Sequence, residues 1–382
     1  MTNFTKVFND MIEDFGVTNQ KLASVMQVHH TTIARWRKEA EGKKIDHPKD
    51  PDPIRRFAKH YRFTPDERER LLKAAGFSIG GDVVNPFIVG QPARYDHFFG
   101  REKVLKKLFD LWRDFPHTPI QNAAIWGEKR MGKTSLLLHL QDIVTAISEY
   151  ISLRDDQRKD WLPNPDNYCF IFVDFQNARL SKKKELLEHI LEKMKLEKKE
   201  TLNLELSEEN PLREFSKIVS HYLKNPTIIL LDEIGTVLKD TSGELDNNFW
   251  EGLRALSTTE FNPPRLGFVL SSPEPPEKLS KLANKGSGIS SPFFNIFGYT
   301  VQLEPFTEQD ARALMNSSPK PFSDKDIQFI LEKSECNPYL LQRLCRLCLE
   351  NMLGDQTDND WQTNAIRIID GTKNTEELKN DD

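Results

Sequence analysis

The chain has 382 residues, which is too long for one small domain and predicts two or three compact units. Hydrophobic residues make up 38% of it and charged residues 29%, with a net charge of −5. This composition is typical of a soluble globular protein and excludes a disordered or membrane-embedded chain. Residues 1–77 nevertheless carry 15 Lys/Arg against 11 Asp/Glu, so any contact with nucleic acid is expected there.

The four cysteines are expected to be reduced, because the sequence shows neither a secretory leader nor an apolar run long enough to cross a bilayer. A cytoplasmic location is therefore predicted. Cys345 and Cys348 have C-x-x-C spacing, but a zinc site needs a second pair of ligands, and no matching pair lies near them. They are predicted to lie on the apolar face of a helix.

Residues 1–77 are predicted to form an all-α domain, because apolar residues recur at helical spacing in segments 4–15, 18–26, 31–39 and 54–75. Segment 18–37, with small Ala23 where two helices would cross and Trp36 in the core, resembles the helix-turn-helix of phage-repressor-like regulators. The resemblance implies DNA binding, with helix 31–39 in the major groove. The side chains predicted to face the groove are Thr31, Thr32, Arg35 and Arg37, with Arg55, Arg56 and Lys59 available for phosphates. Small helical domains also mediate protein contacts, so that alternative stays open.

Beyond residue 77 the pattern changes several times. Residues 78–97 are rich in Gly, Pro and Val and are predicted to be a linker. Residues 98–306 alternate helices with short apolar strands, at 123–126, 169–174, 227–231 and 266–271. This alternation predicts an α/β domain with a doubly wound parallel sheet. Residues 307–352 are predicted to form a small helical lid, and residues 353–382 a polar acidic tail that is loose beyond Asp370.

A phosphate-binding motif follows the first predicted strand. Residues 127–134 fit G-x-x-x-x-G-K-[ST], with a strand before and a helix after, as a P-loop requires. Its glycines let successive backbone N–H groups face a triphosphate at the positive end of a helix. The predicted nucleotide-binding residues are Gly127, Glu128, Lys129, Arg130, Met131, Gly132, Lys133, Thr134 and Ser135. Lys133 is expected to reach the β- and γ-phosphates, and the Thr134 hydroxyl to ligate Mg²⁺.

Two acidic residues follow the buried strand 227–231. Asp232 is expected to hold Mg²⁺ and Glu233 to orient the attacking water. The strand at 266–271 ends in Ser271, a polar residue that could sense the γ-phosphate or the water, although Ser-Ser-Pro is also an ordinary turn. Lys133, Asp232, Glu233 and Ser271 are the predicted catalytic residues, and Thr134 and Asp232 the predicted metal ligands.

Several short motifs in this order resemble the STAND and archaeal-type ATPases, relatives of the AAA+ class. They are Asn85-Pro86-Phe87, Phe99-Gly100-Arg101-Glu102, the P-loop, Leu231-Asp232-Glu233, Ser291-Pro292-Phe293-Phe294-Asn295 and Cys336-Asn337-Pro338-Tyr339-Leu340-Leu341. The resemblance spans residues 85 to 352. It implies a P-loop NTPase that binds ATP or ADP with Mg²⁺ and acts as a nucleotide-controlled switch, often self-assembling with ATP. It also implies that Phe99, Gly100 and Arg101 pack on the adenine and that Pro338 approaches the nucleotide.

The sequence departs from that family at three places. Cys336 replaces the usual glycine of the lid motif. No arginine lies between Ser272 and Phe306, where a ring-forming motor would place its arginine finger, and this favours a slow switch. Only a tail follows the lid where most STAND proteins append sensor repeats, so a partner protein or the N-terminal domain is expected to sense the signal.

Three functional classes remain open on the sequence alone. The first is an ATP-switched, DNA-binding regulator. The second is a signalling or conflict ATPase, as in anti-phage defence, whose N-terminal domain binds a separate effector protein. The third is an ATP-dependent DNA-remodelling or transposition-helper factor.

Overall fold

The structure of the protein, a computed structural model, describes residues 4–13, 15–38, 48, 52–75, 85–145, 161–239, 243–283, 292–353 and 361–377. It has two compact units, the first built on Met1–Asn85 and the second on most of the remaining chain. Four features predicted above fall partly outside the described residues. They are Glu39 at a helix end, residues 78–84 of the linker, Ser291 of one motif, and residues 354–360 and 378–382 of the acidic tail.

The first unit is helical, as predicted, in the part that the structure describes. Its helices are α1 Phe4–Glu13, α2 Asn19–Met26, α3 His30–Arg37, α4 Asp52–His60 and α5 Pro65–Ala74. The ring of Phe8 packs edge-on against those of Trp36 and Phe57, with centroids 6.4 and 5.4 Å away. Trp36 is buried, which confirms its predicted place in the core.

A tight turn joins α2 to α3. The Thr18 side chain caps α2 by accepting a hydrogen bond from the Lys21 N–H, and Gln27 ends the helix in a left-handed conformation with φ of 54°. Arg56 of α4 donates from Nε to the Met26 carbonyl at 3.1 Å. That guanidinium therefore stabilises the turn, and its predicted contact with a DNA phosphate stays a prediction.

A parallel sheet forms the centre of the second unit. Within the described residues it has five strands in the order β2-β3-β4-β1-β5. The strands are β1 Ala123–Trp126, β2 Cys169–Asp174, β3 Thr227–Asp232, β4 Leu266–Ser272 and β5 Tyr299–Gln302. The four predicted strands are confirmed. β5 was missed because it is only four residues long and exposes Thr300 and Gln302, so it forms no continuous apolar run.

Helices cover both faces of this sheet, because successive residues of a buried strand point to opposite sides. Ile228 and Leu230 of β3 pack into one core with helices α6 Glu102–Asp110 and α7 Lys133–Thr145. Ile229 and Leu231 pack into the other core. That face carries α8 Lys183–Lys193, α9 Pro211–Tyr222, α10 Gly235–Lys239, α11 Asn247–Thr258 and α12 Pro276–Ala283. The doubly wound α/β arrangement is therefore confirmed.

The lid is helical at the predicted positions. It comprises α13 Glu308–Met315, α14 Asp324–Ser334 and α15 Pro338–Leu353. Cys345 and Cys348 are both buried on α15, as expected for residues of an apolar helix face. Among the described residues no group of His, Cys, Asp or Glu is arranged to hold a metal by itself. None of the described helices is long and apolar enough to span a membrane.

The acidic tail contains a helix that was not predicted, α16 Trp361–Glu377. Trp361, Ala365 and Ile369 recur every fourth residue and are buried, and the Trp361 ring lies 5.2 Å from that of Phe329. Three spaced apolar side chains dock this helix despite its polar composition, but all of them precede Asp370, so the predicted looseness beyond Asp370 stays a prediction.

Part of the predicted linker belongs to the second unit. Residues 86–97, called the strap below, carry Phe87 into the lid, where its ring lies 5.9 Å from that of Phe322. Arg94 pairs through two hydrogen bonds with the buried carboxylate of Asp142 on α7. Glycine and proline gave the strap the composition of a linker, but side-chain packing rather than secondary structure holds it in place.

We predict that Gly267→Ala lowers the free energy of unfolding of the second unit by about 1–3 kcal/mol. A Cβ at Gly267 of β4 would lie 2.5 Å from Cγ2 of buried Ile120. Gly298→Ala is the matched control, because a Cβ there meets nothing within 4 Å and the expected change is below about 0.5 kcal/mol. Urea unfolding monitored by circular dichroism measures both. Equal midpoints for the two variants would contradict the close packing of β4.

Candidate functional site

The P-loop leaves the sheet at a position that only glycine can occupy. Gly127, directly after β1, has φ of 147°, and a Cβ on it would lie 2.7 Å from the Leu303 carbonyl. The close neighbour arises because the Leu303 N–H donates to the Trp126 carbonyl at 2.7 Å, just past the end of β5. Gly127 therefore turns the chain where the extension of the neighbouring strand leaves no room for a side chain.

The loop continues directly into the first turn of α7. Arg130 and Gly132 are left-handed, with φ of 67° and 86°, and they curl the chain before the helix begins at Lys133. The first N–H groups of a helix have no partner inside it, and they lie at its positive end. The curled loop and the start of α7 together offer backbone donors to an anion.

The Lys133 ammonium lies inside the loop. Its Nζ donates to the carbonyls of Gly127 at 2.9 Å and Glu128 at 2.8 Å, and the residue is 4% exposed. Burial lowers the pKa of Lys133, and the nearby Glu233 and Asp232 carboxylates raise it in part. Its positive charge is thus placed beside the backbone donors and held by weak, neutral acceptors, which a phosphate can displace.

Asp232, the last residue of β3, is a buried carboxylate held by two hydroxyl groups. Thr134 of α7 donates from Oγ1 to Oδ2 at 2.7 Å, and the Ser271 hydroxyl of β4 donates to Oδ1. Burial raises the pKa of Asp232, whereas the hydrogen bonds from Ser271 and Thr134 lower it. The predicted metal ligands Thr134 and Asp232 are therefore brought together.

These oxygen atoms fit Mg²⁺. The cation prefers oxygen ligands and is usually held by one or two protein groups together with substrate phosphates and water. The Thr134 hydroxyl and the Asp232 carboxylate supply such a pair. Asp174 lies opposite Asp232 at the end of β2, and its negative charge raises the pKa of Asp232. Asp174 was not predicted, although it ends an apolar strand just as Asp232 does.

Glu233 follows Asp232 in a left-handed conformation, with φ of 53°, and lines the cleft. Burial raises its pKa, and Lys133 partly offsets that effect. Ser271 is fully buried, and its Oγ accepts a hydrogen bond from the Glu233 N–H at 3.4 Å while donating to Asp232. That hydroxyl bonds both acids and so helps to hold them in place, and the predicted role of Ser271 as a sensor of phosphate or water stays a prediction.

A cleft of about 430 Å³ lies above the loop and is walled by the strap and the lid. Phe99 and Arg101, two of the residues expected at the adenine, line it. Gly100 between them has φ of 66°, and a Cβ there would lie 3.0 Å from the Asp310 side chain.

Arg101 is itself held in place by the P-loop and the strand that precedes the lid. Its Nη2 donates to the Met131 carbonyl at 3.2 Å and to the Glu304 carbonyl at 2.7 Å. Burial lowers the pKa of its guanidinium to about 10. Arg101 thus ties the loop to the residues that lead into the lid.

The lid motif reaches the cleft through Pro338, the first residue of α15. Asn337 caps this helix by accepting hydrogen bonds at Oδ1 from the N–H groups of Tyr339 and Leu340. Cys336 is left-handed, with φ of 56°, and its carbonyl accepts the Phe306 N–H at 2.9 Å. A position that favours glycine is therefore occupied by cysteine, and Pro338 still lines the cleft.

The loop and the lid also contact each other through side chains. The Arg130 guanidinium lies over the Tyr339 ring, 4.3 Å from its centroid. Such a cation–π contact contributes about 0.5–2 kcal/mol. Sequence reasoning placed Arg130 in the loop but gave no signal for its partner, which is more than 200 residues away in the chain.

The strap residues at the cleft were missed altogether. The Ala93 N–H donates to Oγ of Ser135 at 3.0 Å, and the Ile88 N–H donates to Oε1 of Gln342 at 3.1 Å. The strap thus joins the residue after Thr134 on one side and the lid helix α15 on the other. No local pattern distinguishes these residues from those of an ordinary linker.

The residues predicted to contact DNA lie in the first unit and do not share one role. Thr31 and Arg35 are exposed on α3, and the Thr32 Oγ1 accepts a hydrogen bond from Arg35 at 3.2 Å. Arg37 is half-buried, and its Nη1 donates to Asn19 at 2.7 Å while its Nε donates to Asn9 at 3.4 Å. Arg37 therefore stabilises the packing of α1, α2 and α3, and its predicted contact with the groove stays a prediction.

Comparison with solved structures finds several proteins to which this chain is similar. A Walker-type ATPase of Pyrococcus abyssi is similar in structure, with a TM-score of 0.50 and 17% identity over 77% of this chain and 79% of that chain. The ORC2 protein of Aeropyrum pernix gives a TM-score of 0.45 and 12% identity over 70% and 67%. The RuvB branch migration motor of Thermotoga maritima gives 0.40 and 16% over 72% of each chain. No curated protein matches the sequence.

Residues 120–273 match the family model described as AAA domain. This match covers β1, the P-loop and both acids at the end of β3, which are the elements that build the site. The chain therefore contains an AAA-type domain with a P-loop NTPase fold.

Proposed function

We propose that this protein binds Mg·ATP and hydrolyses it slowly, as a nucleotide-controlled switch of the STAND type. The proposal rests on one observation: four residues lie close together at the carboxyl ends of β1 and β3. They are Lys133, Thr134, Asp232 and Glu233. In open α/β sheets, ligands bind at these strand ends. A nucleotide explains why a cation, two acids and a curled loop gather there.

Each of these residues has a role that its position supports. The loop N–H groups and Lys133 bind the phosphates, and Lys133 exchanges its carbonyl partners for phosphate oxygens. Thr134 and Asp232 would hold Mg²⁺, which supplies positive charge to the terminal phosphates. Glu233 orients the attacking water and accepts its proton, a role that a carboxylate with a raised pKa performs near neutral pH.

The slow, switch-like character follows from what surrounds the site. The sequence between Ser272 and Phe306 contains no arginine to stabilise the transition state on a neighbouring subunit. The strap and the lid both line the cleft, so a nucleotide would bind two segments that can respond to it. The strap contacts Ser135 and the lid contacts Arg130, while Arg101 joins the P-loop to the residues that lead into the lid. A nucleotide bound at the P-loop therefore acts on segments that connect to the rest of the chain.

We predict that Lys133→Ala abolishes binding of Mg·ATP and Mg·ADP, because it removes the charge partner of the phosphates. Glu233→Gln should retain binding within about threefold and lower kcat at least about a hundredfold, the effect expected for loss of a general base. Isothermal titration calorimetry and a phosphate-release assay measure the two effects. Hydrolysis at the wild-type rate by Glu233→Gln would refute the proposed role of Glu233, and absence of heat with wild-type protein would refute nucleotide binding.

We also predict that Glu233→Gln raises the Tm of the nucleotide-free protein, and that this gain grows with pH. Burial raises the folded-state pKa of Glu233, so the wild-type protein loses stability as pH rises through that pKa, whereas glutamine has no charge to bury. The difference in Tm should be small near pH 4.5, the ordinary pKa of the side chain, and grow as the pH rises above that value. Differential scanning fluorimetry across that range measures it, with exposed Glu251→Gln as control. A gain that shrinks with rising pH would contradict the burial of this carboxylate.

The first unit is proposed to bind duplex DNA through α3. Thr31 and Arg35 are exposed side by side on this helix, which the tight turn after α2 presents as the second helix of a pair. A helix in that position can enter the major groove. A separate effector protein is the competing partner for the same surface.

We predict that Arg35→Ala weakens binding to random duplex DNA and lowers the salt dependence of affinity by about one released counterion. Exposed Arg70→Ala on α5 is the matched control and should change neither value. Fluorescence anisotropy at low salt, with ADP and with a non-hydrolysable ATP analogue, measures both. Absence of salt-dependent binding in either nucleotide state would exclude DNA and leave the effector protein as the partner of α3.

A further inference from the structure

The wall of the cleft contains a buried amide, that of Gln342, which has no role in the proposed binding of phosphates and Mg²⁺. It lies four residues after Pro338 on α15, so both side chains are on one face of that helix. Gln342 is 8% exposed and lines the cleft together with Pro338 and apolar residues of the strap and lid, Ile88 and Leu314. A polar side chain buried to this degree normally has a partner for each of its polar atoms.

One end of the amide has its partner, and that partner fixes the orientation of the group. The Ile88 N–H donates to Oε1 at 3.1 Å, and a backbone N–H can only donate, so the atom that it meets must be the carbonyl oxygen. The Nε2 atom then carries two N–H groups on the other side. Among the described residues, Nε2 makes no hydrogen bond.

The chemistry of the surroundings indicates what that donor meets. The phosphates of a nucleotide are bound by the P-loop, whereas Gln342 belongs to the wall made by the lid and the strap. That wall combines apolar side chains, such as Ile88 and Leu314, with the oriented amide of Gln342, as is typical of sites for flat heterocycles. A purine presents apolar faces and several ring nitrogens that accept a hydrogen bond at its edge.

We propose that Nε2 of Gln342 donates a hydrogen bond to an acceptor ring nitrogen of the purine, which makes Gln342 a specificity-determining residue of the cleft. The inference rests on the proposed binding of a nucleotide and adds how its base is read. If the acceptor is N1, the site favours adenine over guanine, because guanine carries a hydrogen at N1 and would set donor against donor.

Atom replacement in the ligand tests the contact directly. Calorimetry of the wild-type protein with ADP, 1-deaza-ADP, 3-deaza-ADP and 7-deaza-ADP compares ligands in which one ring nitrogen becomes C–H. We expect one of the three analogues to bind about tenfold or more weakly than ADP, because a buried donor is then left without a partner. Three analogues that all bind within twofold of ADP would overturn the proposal. Failure of ADP itself to bind would instead refute the proposed function.

Variants of Gln342 separate reading of the base from support of the strap. Gln342→Glu keeps an oxygen for the Ile88 N–H but replaces the Nε2 donor, and Gln342→Met removes the donor without adding charge. In both variants the ratio of analogue to ADP dissociation constants should fall to about one, even where overall affinity changes. Gln328→Glu, exposed on α14, makes the same chemical change elsewhere in the lid and should keep the wild-type ratio. A ratio retained in the Gln342 variants would show that Gln342 is only structural.

Discussion

The geometry of the site depends on the burial of one carboxylate. Asp232 is 2% exposed at the end of a strand whose residues are all buried, where an uncompensated charge costs several kcal/mol. Two hydroxyls compensate it, from Thr134 at the start of α7 and from Ser271 at the end of β4. Because the three groups come from three elements, the acid holds the P-loop helix and two strand ends together. Satisfying this buried charge thus also brings together Thr134 and Asp232, the proposed metal ligands.

The other wall of the cleft is attached differently. The sheet is a continuous hydrogen-bonded ladder, whereas the strap is held by separate contacts. These are the Ala93 N–H with Ser135, Arg94 with Asp142, the Ile88 N–H with Gln342 and the ring of Phe87 with that of Phe322. A segment without a hydrogen-bonded ladder opens at lower free energy than a sheet does. We therefore expect the strap to open more readily than the sheet that carries Asp232, which is the combination that the proposed switch needs.

The sequence predicted correctly those features that depend on a few consecutive residues. The apolar run ending in Asp232-Glu233 and the glycine spacing before Lys133 are each complete within ten residues, and the strands and helix built on them are confirmed. Contacts between distant residues were missed, as for Ile88 with Gln342, which are 254 residues apart. The contacts of Arg37 and Ser271 were not predicted for the same reason, since the amides and acids that bind them lie on other elements. Composition gave no sign of the packing that holds the strap, or of the helix α16 within an acidic segment.

The position of the strap in the chain gives the cleft a physical connection to the first unit. It begins at Pro86, directly after Met1–Asn85, and its N–H groups contact both α7 and the lid. A nucleotide that binds one position of the strap better than another must shift the population of those positions. Linkage then requires the reverse, so a partner that favours one strap position changes nucleotide affinity by the same factor. Because ADP and ATP differ only at the γ-phosphate, their difference must enter through the P-loop, where Ser135 lies next to Thr134 and accepts the hydrogen bond of the strap.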